Sequence, residues 1–256
     1  WYIGQCGFVL KQGQTVFCID PVLSDLTGPN GSRRHYPAPF AAEQLGADYV
    51  LCTHGHADHM AKDTLLGFQS GCSARFILPV GCREQAKAFG LEVGRIDFVQ
   101  ESDTLSLSGC TLCAFSAAHP EHVLDPADPR MALGYQLDFG GFRVLHLGDT
   151  YLTEHLFDVL TALPRPDLLL APINGQDFFR TRRGCIGNLE AEETARLAQA
   201  AKEAGAWVSI GVSERDAVTA TLYNSNLLFS PEGELVFCHR KLKPTGSERV
   251  VWGDAD

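Results

Sequence analysis

The chain lacks any apolar run long enough to cross a bilayer: its best candidate, DLLLAPI, is far shorter than the roughly 20 residues a transmembrane helix needs. Positive charge is also scarce, because 21 Lys and Arg face 31 Asp and Glu, giving a net charge of -10. This balance argues against nucleic acid or an anionic membrane as the main partner. The opening stretch, WYIGQCGFVL, shows no secretory leader pattern, so we expect none.

The chain also lacks the paired spacing of a disulfide framework or a zinc ribbon. Its nine cysteines are scattered singly, apart from one CxxC formed by Cys110 and Cys113. Several lie inside apolar, strand-like runs, where cysteine behaves as a small hydrophobic residue. We therefore expect reduced, buried thiols and a cytoplasmic protein.

Short apolar runs bounded by turn residues predict many strands. Gly140 and Gly141 predict a hairpin, and Asn188 and Gly205 are predicted to begin and end a helix. Mixed helices and strands favour an α/β protein in which helices cover a sheet sandwich. The predicted strands are YIGQCGFVL, TVFCID, DYVLCTH, RFILP, RIDFV, CTLCAFSA, both arms of LGYQLDFGGFRVLHLGD, DLLLAP and WVSIGV.

The stretch THGHADHM places His54, His56, Asp58 and His59 directly after the predicted strand YVLCT. Imidazole nitrogens and carboxylates are the ligands that Zn²⁺ and neighbouring transition ions accept. A loop at the end of a strand lets a rigid scaffold aim such side chains at a shared ion. The alternative is a polar loop whose histidines face water, but the dense spacing favours a metal site.

This HxHxDH pattern resembles the signature of the metallo-β-lactamase superfamily, and the chain resembles its ascorbate-6-phosphate lactonase-like branch. The resemblance covers about residues 1–200 and implies an αββα sandwich with two divalent ions, Zn or Mn. The stretches that carry it are IGQCGFVL, IDPVLSD, AAHPEH, LGYQLDFGGFRVLHLGDT, PINGQDFFR and GN before a helix.

The resemblance also implies a ligand set. One ion would lie on His54, His56 and His119, a second on Asp58 and His59, and Asp149 would bridge them. Two neighbouring ions lower the pKa of a shared water and polarise the scissile oxygen. Asp58 would in addition be catalytic, because it would orient the nucleophile.

One expected ligand is missing. The family pattern places a histidine just past the strand that follows the GN helix, and here that stretch is AWVSIGVSERDA. Ser213 or Glu214 occupies the corresponding place. Glu214, Asp216 or a partner chain remain the alternatives that would fill the gap.

The C-terminal segment, about residues 208–256, contains the stretches IGVSERD, TLYNSNLLFSPEGEL and HRKLKPTGSERVVWGDAD. These stretches resemble a different family, the nitrilase-type carbon–nitrogen hydrolases. The resemblance would make Lys241 a catalytic lysine, but the nucleophilic cysteine of that family lies past the last residue here. Its glutamate base falls where the chain already resembles a metallo-β-lactamase. A cysteine nucleophile needs its base and oxyanion partner together, so we expect no amidase activity.

We therefore interpret the chain as a fusion. Residues 1–200 would form a truncated metallo-β-lactamase-like sandwich, completed by a nitrilase-like strand and hairpin within residues 201–256. That hairpin would leave an exposed sheet edge, which favours a homodimer.

Arg34, Arg180 and Arg182 lie in loops that such a fold places near the metal ions, and guanidinium groups suit phosphate. Solvated surface arginines are about an equal alternative for any one of them. The sequence predicts hydrolysis of a small anionic ester, such as a phosphodiester or phosphorylated lactone, by a hydroxide that the metal ions generate. The competing hypothesis is a catalytically degenerate metal-binding scaffold or oligomeric interaction protein.

Overall fold

The computed structural model describes residues 1–25, 37–117, 132–150, 154–171, 191–216, 218–219, 221–241 and 253–254. It divides into two compact units, Trp1–Gly140 and Gly141–Asp256. The predicted mixture of α and β structure is confirmed in both units.

The first unit is built on a six-stranded sheet whose strands follow the chain order β1 to β6. The first three strands are antiparallel neighbours, and β3 to β6 run parallel. Parallel neighbours need crossover connections, and two of the three connections here contain an α-helix. The strands are β1 Tyr2–Gly4, β2 Gly7–Gln12, β3 Thr15–Ile19, β4 Tyr49–Leu51, β5 Arg75–Pro79 and β6 Ile96–Val99; the helices are α1 Lys62–Gly71 and α2 Arg83–Phe89.

Strand alternation gives this sheet two buried faces. On one face, side chains such as Val50 and Phe76 pack with Leu65 and Phe68 of α1. The opposite face packs against three antiparallel strands, β7 Thr104–Leu107, β8 Cys110–Ser116 and β9 Leu133–Asp138. The first unit is therefore layered as helices, sheet and second sheet. The side chains of that second interface include Phe17, Ile19, Leu51, Ile77, Leu112, Leu133, Tyr135 and Leu137.

The second unit joins three parallel strands to an antiparallel hairpin. Its core is small and consists of one helix packed against two strands. The buried side chains of this core are Ala201, Ile210, Val212, Leu227 and Phe229. Its elements are β10 Arg143–His146, α3 Glu154–Ala162, β11 Leu168–Ala171, α4 Ala191–Ala204, β12 Trp207–Arg215, β13 Leu222–Phe229 and β14 Leu235–Arg240.

Several local predictions can be compared with the structure. The run YIGQCGFVL forms two strands rather than one, because Gly4 (φ 94°) and Gln5 (φ 52°) turn the chain between β1 and β2. Gly205, with φ 53°, ends α4 as predicted. Asn188, the predicted start of that helix, lies outside the described residues.

Strand β14 is unusual because nearly all of its side chains are exposed. Val236 is 54% exposed and Phe237 is 52% exposed. Among the described strands, β14 pairs only with β13. Within the same part of the chain, no helix has the length and apolarity needed to cross a membrane.

Candidate metal centre

The predicted metal loop begins where β4 ends, at the centre of the first unit. The rings of His54 and His59 are buried, His56 is half-buried, and Asp58 is exposed. The loop closes on itself because the backbone amides of His59 and Met60 both donate to the carbonyl of His56, at 3.0 and 2.6 Å. The sequence thus folds these four donors into one compact turn.

Neighbouring elements hold this loop in place. The amide of Leu133 in β9 donates to the carbonyl of Thr53 at 2.9 Å. The side-chain amide of Gln85 in α2 donates to the carbonyl of Gly55 at 2.7 Å. A Cβ at Gly55 would collide with that glutamine side chain, so the glycine permits the close approach.

Asp20 is the anchor of the loop, and sequence reasoning assigned it no role. It follows β3, is fully buried, and adopts a left-handed backbone with φ 46°. Its Oδ1 accepts the amide of Thr53 at 2.7 Å, and its Oδ2 accepts the Thr53 hydroxyl at 2.7 Å. The same Oδ2 lies 2.8 Å from Nδ1 of His59. A carboxylate that accepts the Nδ1 proton of a histidine is characteristic of an orienting group beside a metal ligand.

The contact between Asp20 and His59 decides which imidazole nitrogen can bind an ion. A carboxylate accepts the proton of Nδ1, so the lone pair of the neutral ring lies on Nε2. The Oδ2 atom of Asp58 lies 3.9 Å from that Nε2. His59 and Asp58 thus present a nitrogen and a carboxylate oxygen to the same small volume.

His54 and His56 form a second converging pair. The Thr53 hydroxyl lies 3.1 Å from Nδ1 of His54, and the opposite nitrogen, Nε2, lies 3.1 Å from Nδ1 of His56. Two imidazole nitrogens on one tetrahedral Zn²⁺ would be roughly 3.3 Å apart, since each Zn–N bond is about 2.0–2.1 Å. The spacing of this pair therefore fits a single ion. The ring centroids of His54 and His59 are only 4.1 Å apart, so the two pairs adjoin each other.

The remaining predicted site residues are distributed as follows. Asp149 is half-buried in the second unit, just past β10 and next to Gly148, whose φ is 64°. His119, Arg34, Arg180 and Arg182 lie outside the described residues. The structure thus brings together His54, His56, Asp58 and His59 from the predicted set.

Glu214 and Asp216, the candidates for the missing ligand, are occupied by other contacts in the second unit. Arg240 donates through Nε to both oxygens of Glu214, at 3.1 and 3.0 Å, and Ser225 donates its hydroxyl to Oε2 at 2.6 Å. The Arg240 hydrogen bonds hold the pKa of Glu214 below its ordinary value. The Oδ1 atom of Asp216 accepts the amides of Val218 and Thr219, at 3.0 and 2.8 Å. Both carboxylates are therefore engaged by groups of the second unit.

Lys241, the lysine that the nitrilase resemblance would make catalytic, extends the pairing of the C-terminal hairpin. Its backbone amide donates to the carbonyl of Asn224 at 2.7 Å, directly past the end of β14. The residue is half-buried. This backbone contact supports the hairpin of β13 and β14.

Comparison with known proteins identifies the family to which the chain belongs. A family model for the beta-lactamase superfamily domain matches residues 15–209. The chain belongs to the beta-lactamase superfamily. A UPF0173 metal-dependent hydrolase of Heliobacterium modesticaldum is 31% identical over 69% of the chain and 71% of that relative. A metallo hydrolase of Ignicoccus hospitalis has a similar fold, with a TM-score of 0.51 and 20% identity over 68% of the chain and 70% of that structure.

The resemblance of this superfamily member to carbon–nitrogen hydrolases is also confirmed. That family model matches residues 167–256, so the similarity begins earlier than the predicted residue 208 and overlaps the first match over residues 167–209. An aliphatic nitrilase of Sinorhizobium fredii is 49% identical over 33% of the chain. The chain spans only 26% of that nitrilase's length.

Proposed function

We propose that the chain is a metal-dependent hydrolase that cleaves a small anionic ester, such as a phosphodiester or a phosphorylated lactone. The observation that carries the proposal is the 3.1 Å approach of His54 Nε2 to His56 Nδ1. At this distance the two nitrogens can share one N–H···N hydrogen bond, or both can direct their lone pairs to one ion, and the concentration of metal-binding residue types in this loop favours the ion. Membership of the beta-lactamase superfamily, with metal-dependent hydrolases among its relatives, supports the same activity.

The residues of the loop would have different roles. His54 and His56 would hold one ion, and His59 and Asp58 a second, as the sequence resemblance implies. Bound divalent ions would acidify water and polarise the scissile oxygen. Asp58 has the exposure needed to meet a substrate, since its side chain is 53% exposed, and would orient the attacking water. Asp20 and Thr53 would keep the imidazoles aligned without touching the substrate.

The substrate class rests on charge. The chain is acidic overall, so an anionic substrate needs a local cationic group. Arg34, Arg180 and Arg182 are the proposed source, because the guanidinium group binds phosphate in a bidentate manner. Expected partners are thus small molecules rather than nucleic acid or membranes.

A metal-binding scaffold without catalysis is the second candidate. The observation that favours it is the missing histidine near Ser213, together with the engagement of Glu214 by Arg240. A second ion held by too few ligands would be lost, and a dinuclear mechanism with it.

One experiment separates the two candidates. The purified protein is stripped with a chelator, reloaded with Zn²⁺ or Mn²⁺, and assayed for bound metal and for hydrolysis of an activated phosphodiester and a lactone. The hydrolase predicts activity that chelation abolishes and metal restores. His56→Ala is expected to lose most bound metal and activity, whereas His239→Ala, in the exposed β14 strand, serves as the matched control.

Metal binding without turnover of any anionic ester would favour the scaffold. Turnover that is unchanged in His56→Ala would contradict the hydrolase. Metal-independent amidase activity that Lys241→Ala removes would instead support the carbon–nitrogen hydrolase alternative.

A further inference from the structure

The turn between β1 and β2 delivers a cysteine to the metal loop. Gly4 and Gln5 both have positive φ, 94° and 52°, and the strand register shifts at this point. On the far side of the turn, Gly7 begins β2 so close to its neighbours that a Cβ there would meet the carbonyl oxygen of Asp20 at 3.2 Å. The residue that directly follows Cys6 therefore lies beside the residue that anchors His59.

The Cys6 thiol lies near the ring of this histidine. Its Sγ lies within 4.8 Å of a ring nitrogen of His59. Asp20 engages Nδ1 of that ring, so Nε2 is the nitrogen that can ligate an ion. Asp58 approaches the same Nε2 to 3.9 Å. His59 thus has both a thiol and a carboxylate of the first unit near its ring.

A shared ion would set the distance between the sulfur and the nitrogen. Zn–S bonds of about 2.3 Å and Zn–N bonds of about 2.0 Å hold sulfur and nitrogen roughly 3.5 Å apart at a tetrahedral centre. Cys6 is half-buried at a turn, so a change of its χ1 rotamer can adjust the approach of the sulfur.

The site also needs another ligand. The histidine that the family pattern supplies near Ser213 is missing, and Glu214 and Asp216 are engaged by Arg240 and by backbone amides. Both observations are independent of the position of Cys6. They leave the second ion one protein ligand short.

We propose that Cys6 supplies this ligand, as a thiolate, to the ion that His59 holds. The inference rests on the proposed metal-dependent function and concerns the composition of its second site. Binding of the ion releases the thiol proton to solvent, and no oxidant or reductant takes part. Because thiolate is a soft ligand, the site prefers Zn²⁺, Co²⁺ or Fe²⁺ to Mn²⁺.

Cobalt substitution tests the proposal without relying on activity. The stripped protein is titrated with Co²⁺, and the near-ultraviolet absorption from thiolate-to-cobalt charge transfer is recorded as the ions bind. The wild-type protein is expected to show this band, and Cys6→Ser is expected to lose it. Cys113→Ser is the matched control, since Cys113 is also half-buried in the first unit but faces the Thr104 hydroxyl at 3.6 Å.

If the Cys6→Ser protein does not fold, a second measurement on the wild-type protein tests the proposal. Wild-type protein, with and without Zn²⁺, is alkylated and the modified cysteines are located by mass spectrometry. Protection of Cys6 by Zn²⁺ supports the proposal, and equal modification with and without Zn²⁺ overturns it.

The outcomes separate this inference from the proposed function. Two bound ions and ester hydrolysis without a thiolate band would overturn the role of Cys6 and keep the hydrolase. A band that persists in Cys6→Ser would also overturn it. Failure of the wild-type protein to bind any metal would overturn both.

Discussion

Asp20 offers the sharpest test of how the metal loop is built. We predict that Asp20→Asn weakens Zn²⁺ binding although Asp20 is not one of the predicted metal ligands. The asparagine oxygen must remain toward the amide of Thr53, which donates to Oδ1 at 2.7 Å. The new amide group then faces Nδ1 of His59, 2.8 Å from the original Oδ2. Two donors cannot share that hydrogen bond, so the ring must carry its proton on Nε2 instead.

A proton on Nε2 blocks the lone pair that an ion needs. Replacing a group that orients a metal ligand typically lowers metal affinity about 10–100-fold, which corresponds to roughly 1.4–2.7 kcal/mol. Asparagine is the right substitution because it tolerates the left-handed backbone of residue 20, with φ 46°, as well as aspartate does. Alanine would lose all three accepted contacts and would confound binding with unfolding.

Two assays check the reasoning. Zn²⁺ affinity is measured by competition with a chromogenic chelator, and the imidazole tautomer is read from ¹⁵N NMR of the metal-free protein. Asp48→Asn is the matched control, because Asp48 is a carboxylate of the same unit that also accepts a backbone amide, that of Val16 at 2.8 Å. Affinity within a factor of about two of wild type, or an unchanged His59 tautomer, would refute the orienting role.

Further predictions concern other parts of the molecule. Arg240 lowers the pKa of Glu214, so their ion pair stabilises the protein at neutral pH, and this stabilisation is lost as the pH falls through the lowered pKa. Arg240→Ala should therefore lower the free energy of unfolding by about 1 kcal/mol at neutral pH and by almost nothing well below about pH 4, as measured by urea unfolding. Burial raises the pKa of the Cys18, Cys82 and Cys110 thiols to about 12, so iodoacetamide near neutral pH should modify them only after denaturation; rapid labelling of the native protein would contradict this. Tyr135→Phe removes the donor to the Cys52 carbonyl at 2.7 Å and should cost about 1–3 kcal/mol in the same unfolding assay. We propose that a second copy pairs with the exposed edge of β14; light scattering should then give a dimer that Val236→Lys dissociates, and a wild-type monomer would refute it.

Much of the fold could be predicted from the sequence because its information is local. Alternating apolar residues mark the strands, and in β3, β4 and β5 this alternation assigns residues such as Phe17 and Cys18 to opposite buried faces. Gly205 could be predicted to end a helix because a left-handed backbone suits glycine. The turn within YIGQCGFVL was missed because it depends on Gln5, a residue that rarely adopts positive φ.

The donors of the metal loop could be recognised for the same reason, since four of them fall within six positions of the chain. Their chemistry follows from residue type, and their proximity follows from a tight turn. That these residues bind two ions, and that the substrate is an anionic ester, stay predictions.

Only the tertiary structure decided how these donors are oriented and supported. Asp20 binds His59 from 39 positions away, and Arg240 binds Glu214 from 26 positions away. Cys6 meets the loop because β1, β2 and β3 bring the start of the chain beside the end of β4. No periodic pattern records such pairings, because they arise from strand order and register, which the whole sheet determines at once.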